Sequence, residues 1–214
     1  MNLASWFVLG LCTTAGCVFQ AIPTVTPKKI PPVSPPIKAR ALLLIAPSFE
    51  EYISQGATGF HKVRTDYGEV AAKALSALVT ESFAAAEIRH LTDLEVQTSL
   101  AGAVDTSVAD LLLVPFFESA NARGRVTTES PSFDAAGNVV VGASTYDEMA
   151  EVKLRLNARS LRSGKTFTWV TLGVADSEPG WGRAAASALQ EALHALSDSL
   201  AVHRAELELV SPAP

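Results

Sequence analysis

The segment 151–175 constrains the fold more than any other part of this 214-residue chain. Its first half alternates apolar with polar residues, and the apolar set is Val152, Leu154, Leu156 and Ala158. A period of two is typical of a strand with one buried face. A second alternating run follows a short turn, and its shared-face residues are Phe167, Trp169 and Thr171. The segment therefore predicts a β-hairpin that packs its apolar face against helices and directs Lys153 and Arg155 outward.

The turn of this hairpin contains Gly164-Lys165-Thr166, which resembles the end of a phosphate-binding P-loop. A P-loop needs another glycine five residues before Gly164, but Arg159 stands at that position. The loop must also open a helix, whereas a strand pattern follows here. We therefore interpret Gly164 as a turn residue that supplies a positive φ.

Two continuous apolar runs predict strands that are buried on both faces. The first is Ala41–Ala46, which Pro47 closes, and the second is Asp110–Phe117. Strands of this kind lie centrally in a sheet with helices over it. Pro115 lacks an N–H group, so it implies a bulge or an unpaired position in the second strand.

Helical periodicity appears in two long segments. Asp66 stands three residues before Glu69, a capping-box-like start for a helix that reaches about residue 86. The last helix opens near Ser177, and the residues of its apolar face are Leu189, Leu193, Leu196 and Leu200. The order of elements predicts an α/β (α+β) domain: a mixed sheet with an antiparallel hairpin and helices packed on it.

The amino-terminal part differs from this body. Residues 3–19 carry no charged side chain. An apolar run of this length fits a signal-peptide apolar region better than a membrane-spanning helix. Residues 22–38 are rich in proline, which favours an extended spacer with a reach on the order of 50 Å. We predict a signal peptide over 1–16, a tether over 17–38, one folded domain over 39–204 and a tail over 205–214.

Composition excludes several functional classes. The formal net charge of −5 gives no basic face of the kind that binds nucleic acid. Cysteine occurs only as Cys12 and Cys17, both in the first apolar stretch. The count leaves the body without a disulfide, a thiolate zinc site or a cysteine nucleophile.

No sequence motif identifies a catalytic, metal or cofactor site. The chain has no Gly-X-Ser-X-Gly elbow and no Ser-X-X-Lys pair. Its histidines, which form no metal-binding spacing, are His61, His90, His194 and His203. A pair of carboxylates drawn from distant positions stays open, because such pairs have no fixed spacing. We expect no catalytic residue, no metal and no cofactor.

Two aromatic residues are candidates for a partner interface. Trp181 stands between two glycines at the start of the last helix, and Phe133 lies in a projecting loop or small hairpin. Exposed aromatic residues are enriched at interfaces, so each can anchor a partner. The alternative for Trp181 is that it fills the core under the helix end.

The sequence Thr14-Ala15-Gly16-Cys17 resembles the lipobox of bacterial lipoproteins. The resemblance implies cleavage before Cys17 and lipidation of that residue. It further implies attachment to the outer membrane through the lipid, with the domain facing the periplasm. An uncleaved anchor and a plain secretory signal are the alternatives.

The body is similar to a class of bacterial envelope lipoproteins. These are the curli secretion, Pel polysaccharide export and penicillin-binding-protein activator lipoproteins, together with the amino-terminal domain of the Tol–Pal protein TolB. The similarity rests on Ala109-Asp110 before an apolar run and on the hairpin with its Ser163-Gly164-Lys165 turn and Trp169. It implies a non-enzymatic domain that docks onto an unspecified envelope machine or assembles into a homo-oligomer. An exported hydrolase acting on cell wall or polysaccharide, and a periplasmic ligand-binding module, are the rival hypotheses.

Overall fold

A computed structural model describes most of the chain. The described residues are 20–21, 25–26, 28–58, 61–102, 108–128, 132–133, 136–140, 144–178 and 180–209. Cys17, the predicted lipidation site, lies outside them, as does the whole predicted signal peptide. Within those ranges, no helix combines the length and the apolar character that a membrane-spanning helix requires.

The described residues form strands and helices in the following order along the chain. The strands are β1 (Gln20–Ala21), β2 (Ile37–Ile45), β3 (Ile53–Thr58), β4 (His61–Asp66), β5 (Phe83–His90), β6 (Leu111–Thr128), β7 (Ser132–Phe133), β8 (Val139–Val140), β9 (Ser144–Ser160) and β10 (Thr166–Glu178). The helices are α1 (Pro47–Glu50), α2 (Gly68–Ser82), α3 (Asp93–Ala101), α4 (Trp181–Val202) and α5 (Arg204–Leu209).

The main sheet has five strands in the order β10-β9-β6-β2-β5. β2 runs parallel to β5 and β6, whereas β9 is antiparallel to both β6 and β10. The helices α2 and α4 pack on one face of this sheet, and α3 covers part of the other face. The predicted mixed sheet with an antiparallel hairpin and packed helices is therefore confirmed.

The central strands are buried on both faces, as their apolar runs predict. Leu43 belongs to the apolar cluster under α2 and α4, whereas Leu42 and Leu44 belong to the cluster that contains Val96 of α3. β6 pairs with β2 only over Leu111–Leu113, so Pro115 lies beyond that pairing. The register between β6 and β9 also shifts just after Phe117.

The predicted hairpin is formed by β9 and β10, with Leu156 opposite Trp169. Its inward residues are buried beneath the helices, and they include Val152, Leu154 and Leu156. Lys153 and Arg155 lie on the opposite face of the sheet and are half-buried. Gly164 has a φ of 71°, which confirms its predicted role in the turn.

The structure corrects four local expectations. The segment 48–64 is polar and contains Gly56 and Gly59, which favours a loop, but it contains most of α1 and much of the β3–β4 hairpin. Asp66 does not cap α2, because it ends β4 and its carboxylate contacts Arg64 at 3.3 Å. The helix α2 then stops at Ser82, because the chain becomes extended as β5. α4 begins at Trp181, not near Ser177, because β10 stays paired with β9 as far as Glu178.

Part of the proline-rich segment lies against the body. Val25, Ile30 and Val33 are buried members of the main apolar cluster. The Val33 N–H donates to Ser82 Oγ at 3.0 Å, and Ser197 Oγ donates to the Pro31 carbonyl at 2.7 Å. The segment thus forms extra packing on α2 and α4 before β2 begins at Ile37, two residues earlier than the predicted domain start.

Asp110 joins three parts of the sheet. Its carboxylate is 3% exposed; it accepts the Arg40 N–H at 3.0 Å and contacts the guanidinium groups of Arg40 and Arg162 at 3.1 and 3.2 Å. Burial opposes ionisation of Asp110, but the hydrogen bonds from Arg40 and the two positive charges outweigh it and lower the pKa. The aspartate of the Ala-Asp motif therefore has a structural role, because its contacts join β2, β6 and the hairpin turn.

Candidate functional site

An apolar stripe lies exposed on the edge strand β10. Val170, Leu172 and Val174 are 47%, 49% and 46% exposed, on the face of the sheet opposite α4. We call these three residues the edge stripe. Alternating positions of the same strand, Trp169 and Thr171 among them, are buried under α4. β10 is thus apolar on both faces although only one of them is covered within the described residues.

The backbone of β10 is also open on one side. The strand pairs with β9 and has no second strand among the described parts of the sheet. Val174 N–H donates to Glu191 Oε2 of α4 at 2.7 Å, so it points away from β9. In an antiparallel pair such groups alternate along the strand, so the N–H and C=O of Thr168, Val170 and Leu172 point away as well.

Between Thr166 and Ala175 this edge lacks the usual protection against pairing with another chain. The acidic residues of β10 and its register shift come after Ala175. Natural edge strands carry charged residues, prolines or bulges that block a further strand. The ten residues from Thr166 to Ala175 contain neither charge nor proline and keep a regular register with β9. Chemically, this arrangement can accept one more extended strand through backbone hydrogen bonds, with apolar side chains along one face.

The outer sheet face next to the edge stripe, on β9 and the adjoining part of β6, is polar and ion-paired. Glu118 sits at the register shift of β6 and contacts Lys153 at 2.8 Å and Arg155 at 3.5 Å. The hydrogen bond from Lys153, with the charges of Lys153 and Arg155, lowers the pKa of Glu118 against a smaller effect of burial. The Arg155 guanidinium lies 4.8 Å from the centre of the Phe116 ring. The edge stripe is therefore bounded on one side by a strip that stays charged at neutral pH.

The helix α4 packs closely against the inner face of β10. Gly173 leaves no room for a side chain, because a Cβ there would lie 1.9 Å from the Ala188 carbonyl oxygen. The Trp169 ring packs against the ring of His203 at 5.9 Å, near the end of α4. These contacts fix the inner face of β10, so the edge stripe is presented by a strand with little freedom to move.

Neither of the two predicted interface residues is a member of the edge stripe. Trp181 is half-buried at the start of α4. Phe133 has its backbone in the two-stranded β7–β8 pair, and its side chain lies outside the described part of the structure. The role of both aromatic residues at an interface stays a prediction.

Two clefts lie on the described surface, and one of them adjoins the edge stripe at Val174. One, of about 490 Å³, lies between residues 25–30 and α2, with Lys28, Lys29 and Lys73 at its rim. The other, of about 350 Å³, is lined by residues that include Arg123 and Glu151. Among the residues that the structure describes, no three His, Cys, Asp or Glu side chains are grouped so that they could hold a metal ion.

Glu148 is a partly buried carboxylate at the start of α4. It accepts a hydrogen bond from the Gly180 N–H, while its Oε2 has no hydrogen-bond partner among the described residues. Burial raises the pKa of Glu148 against that hydrogen bond. A carboxylate beside the first turn of a helix stabilises the exposed N–H groups there, which gives Glu148 a structural role.

Sequence reasoning missed the edge stripe, although a signal for it existed. The second hairpin strand has apolar residues at nearly every position from Trp169 to Ala175, so both of its faces are apolar. That pattern is expected of a central strand, and the last strand of a hairpin has no guaranteed neighbour. An apolar outer face on a terminal strand thus indicates a surface that another chain can cover.

No protein-family model and no curated protein matches the chain. Among solved structures, protein XCC0632 from Xanthomonas campestris, of the family DUF330, aligns at 11% identity and a TM-score of 0.48, over 86% of this chain and 92% of that one. A homolog of the neuraminyllactose-binding hemagglutinin from Helicobacter pylori aligns at 14% and 0.45, over 87% and 98%. Lipoprotein GNA1162 from Neisseria meningitidis aligns at 12% and 0.32, over 77% and 99%. Likenesses of this size carry no argument about the function of this chain.

Proposed function

We propose that the protein is a lipid-anchored, non-enzymatic accessory protein of the bacterial cell envelope, and that it acts by binding protein through β10. The observation that carries this proposal is the edge stripe together with the open backbone of the same strand. The ten-residue segment Thr166–Ala175 of this edge strand has no charge, proline or register shift, and an edge of that kind pairs readily with other chains. The presence of such an exposed edge in a folded domain is best explained by a strand of another protein chain that covers it.

The anchor part of the proposal is supported by the sequence. The lipobox-like Thr14–Cys17 places a lipidated cysteine ahead of the folded body. Gln20 and Ala21 already pair with β4, so the chain joins the folded body three residues after Cys17. A lipid on Cys17 then holds the domain at the outer membrane, facing the periplasm, where it meets other envelope proteins.

Fractionation and palmitate labelling test the anchor. We expect the parent chain to take up labelled palmitate and to sediment with outer membranes, and Cys17→Ala to lose both properties. A parent chain without label, or a Cys17→Ala chain still found in the outer membrane, contradicts the anchor.

Site-specific photo-cross-linking of the full chain in cells tests the binding surface. A photoreactive residue in place of Leu172 should give a discrete protein adduct, because Leu172 lies in the edge stripe. The matched control is the same residue in place of Leu94, which is 74% exposed on α3 and lies outside the stripe. A missing adduct at Leu172, or an equal adduct at Leu94, contradicts binding through β10.

A further inference from the structure

The cleft between α2 and the amino-terminal segment is an elongated groove. Its volume of about 490 Å³ lies within the usual range of small-molecule pockets. The residues of α2 that line it extend from Glu69 to Glu81, which corresponds to about 18 Å of helix. Residues 25–30 form the facing wall, and the Lys28 N–H donates to Gln190 Oε1 of α4 at 3.3 Å. The groove is therefore long enough to hold an extended chain.

The interior of this groove is mainly apolar. Val70, Ala74, Ala77 and Leu78 line it from one side of α2, and their spacing is that of a single helix face. Ile30 adds an apolar side chain from the facing wall. Ala74 is half-buried and Ala77 is exposed, so the described residues leave this face of α2 partly uncovered. Transfer of hydrocarbon from water into such a groove is favourable.

The charged residues at the rim favour a ligand with a negative charge. Lys29 contacts Glu81 at 2.8 Å, so these two charges compensate each other. Lys28, Lys73 and Glu69 remain at the rim. Neither Lys28 nor Lys73 forms an ion pair within the part of the chain that the structure describes. These two lysines outnumber the one remaining glutamate, so the rim attracts an anion.

We infer that this groove binds the acyl chain of a membrane lipid whose anionic head group lies at Lys28 and Lys73. The inference goes beyond the protein binding proposed for β10, and it rests on the proposed anchor only for closeness to the membrane. Gln20 pairs with β4 three residues after Cys17, and Val25 follows Gln20 by five residues, at most about 17 Å. A lipid on Cys17 therefore keeps the groove close to the other lipids of the same bilayer.

The charged rim distinguishes such a lipid from the acyl chains that Cys17 itself would carry. Acyl chains attached to a cysteine have no anionic head group, so they would fill the apolar interior and leave Lys28 and Lys73 without a partner. A lipid with an anionic head group contacts the apolar interior and both lysines at the same time. The occupant is therefore a separate lipid molecule.

Photolabelling in vesicles tests the inference with the full lipidated chain. The vesicles consist of phosphatidylcholine with a trace of phosphatidylglycerol whose acyl chain carries a photoreactive diazirine. The comparison probe is phosphatidylcholine with the same photoreactive acyl chain. We expect label in the α2 peptide that contains Ala74 and Ala77. The phosphatidylglycerol probe should give about three- to tenfold more of it, because contacts with two exposed lysines are worth a modest amount.

Three variants make the result specific. Ala77→Trp fills the groove from an exposed position and should remove the label from the α2 peptide. Ala205→Trp is the matched control, because it makes the same change at an exposed position of α5 that does not line the groove. Lys28→Gln combined with Lys73→Gln should lower labelling by the phosphatidylglycerol probe to the level of the phosphatidylcholine probe. Circular dichroism checks that each variant is folded.

The outcomes separate this inference from the proposed function. An α2 peptide without label in a vesicle-bound parent chain overturns the inference, and so does equal labelling by the two probes. Labelling of a folded Ala77→Trp chain at the level of the parent chain overturns it as well. All three results leave protein binding through β10 standing. A parent chain that does not attach to the vesicles contradicts the anchor, and the inference then falls with it.

Discussion

Replacing Gly173 by alanine tests the contact that holds β10 in place. A Cβ at Gly173 would lie 1.9 Å from the Ala188 carbonyl oxygen and 2.5 Å from the Ala192 amide nitrogen. Real Cβ atoms essentially never come within 3.0 Å of such neighbours, so α4 must move away by roughly 1 Å. Both opposing atoms belong to the backbone, so no change of rotamer can relieve the clash.

The expected loss of stability follows from this geometry. Inserting a methyl group into a well-packed interior typically costs about 1–3 kcal/mol, and a clash with helix backbone belongs at the upper end, about 3 kcal/mol. In a chain of this size, 1 kcal/mol lowers Tm by about 2–4 °C. We therefore expect the Tm of Gly173→Ala to lie about 6–12 °C below that of the parent chain.

Thermal unfolding followed by circular dichroism measures this difference. Gly164→Ala is the matched control, because its Cβ meets nothing within 4 Å and its positive φ costs only about 1–2 kcal/mol. Adding Ala188→Gly to Gly173→Ala should not restore stability, because the clashing atom is the carbonyl oxygen. A Tm for Gly173→Ala equal to the parent value, or rescue by Ala188→Gly, would refute the reasoning.

Three further predictions concern other contacts. Asp110→Asn should lower the free energy of unfolding by about 1–2 kcal/mol at pH 7, because Arg40 and Arg162 lose a charged partner but stay partly solvated. The folded-state pKa of Asp110 is lowered, so its contribution to stability is present above the unfolded pKa and is lost as pH falls through the folded pKa. Urea unfolding measured from pH 7 down to acid should therefore show the free energies of unfolding of the parent and Asp110→Asn chains converge. A constant difference between them would contradict this. Glu148 has a raised folded-state pKa, so its contribution is present below the unfolded pKa and is lost as pH rises through the folded pKa. Glu148→Gln should therefore gain stability relative to the parent chain as pH rises in the same assay, and a loss on raising the pH would disprove the assignment. Ser82→Ala should lower the free energy of unfolding by about 1–3 kcal/mol, because the buried Val33 N–H loses its acceptor. The amino-terminal segment should then be cleaved faster by a protease. An unchanged cleavage rate would count against that contact.

Sequence periodicity predicted the parts of the fold that depend on neighbouring residues. The alternation around Leu154 gave the hairpin and its buried face, and the apolar run around Leu43 gave a central strand. In both cases the side-chain pattern reports directly which faces are covered. The turn at Gly164 was predictable for the same reason, since its backbone requirement is local.

Features that depend on distant pairing could not be predicted in this way. β3 contains Gly56 and lies with β4 in a polar segment, so neither strand has a strong sequence pattern; the two strands are defined by pairing with each other. The edge position of β10 follows from the strand order of the whole sheet, which no local pattern contains. Asp66 matched a helix cap by spacing, but the register of β4 with β3 assigned it to a strand.

The packing of Val25, Ile30 and Val33 on the body changes how far the domain can stand from a membrane. A spacer free over its whole predicted length would reach on the order of 50 Å, whereas Gln20 and Ala21 already pair with β4, so that the three residues from Cys17 to Gln20 allow a reach of about 10 Å when fully extended. A domain attached by so short a tether stays within a thin layer next to the lipid surface. Its partners are then met within that layer, and proteins deeper in the periplasm must come to the membrane to reach it.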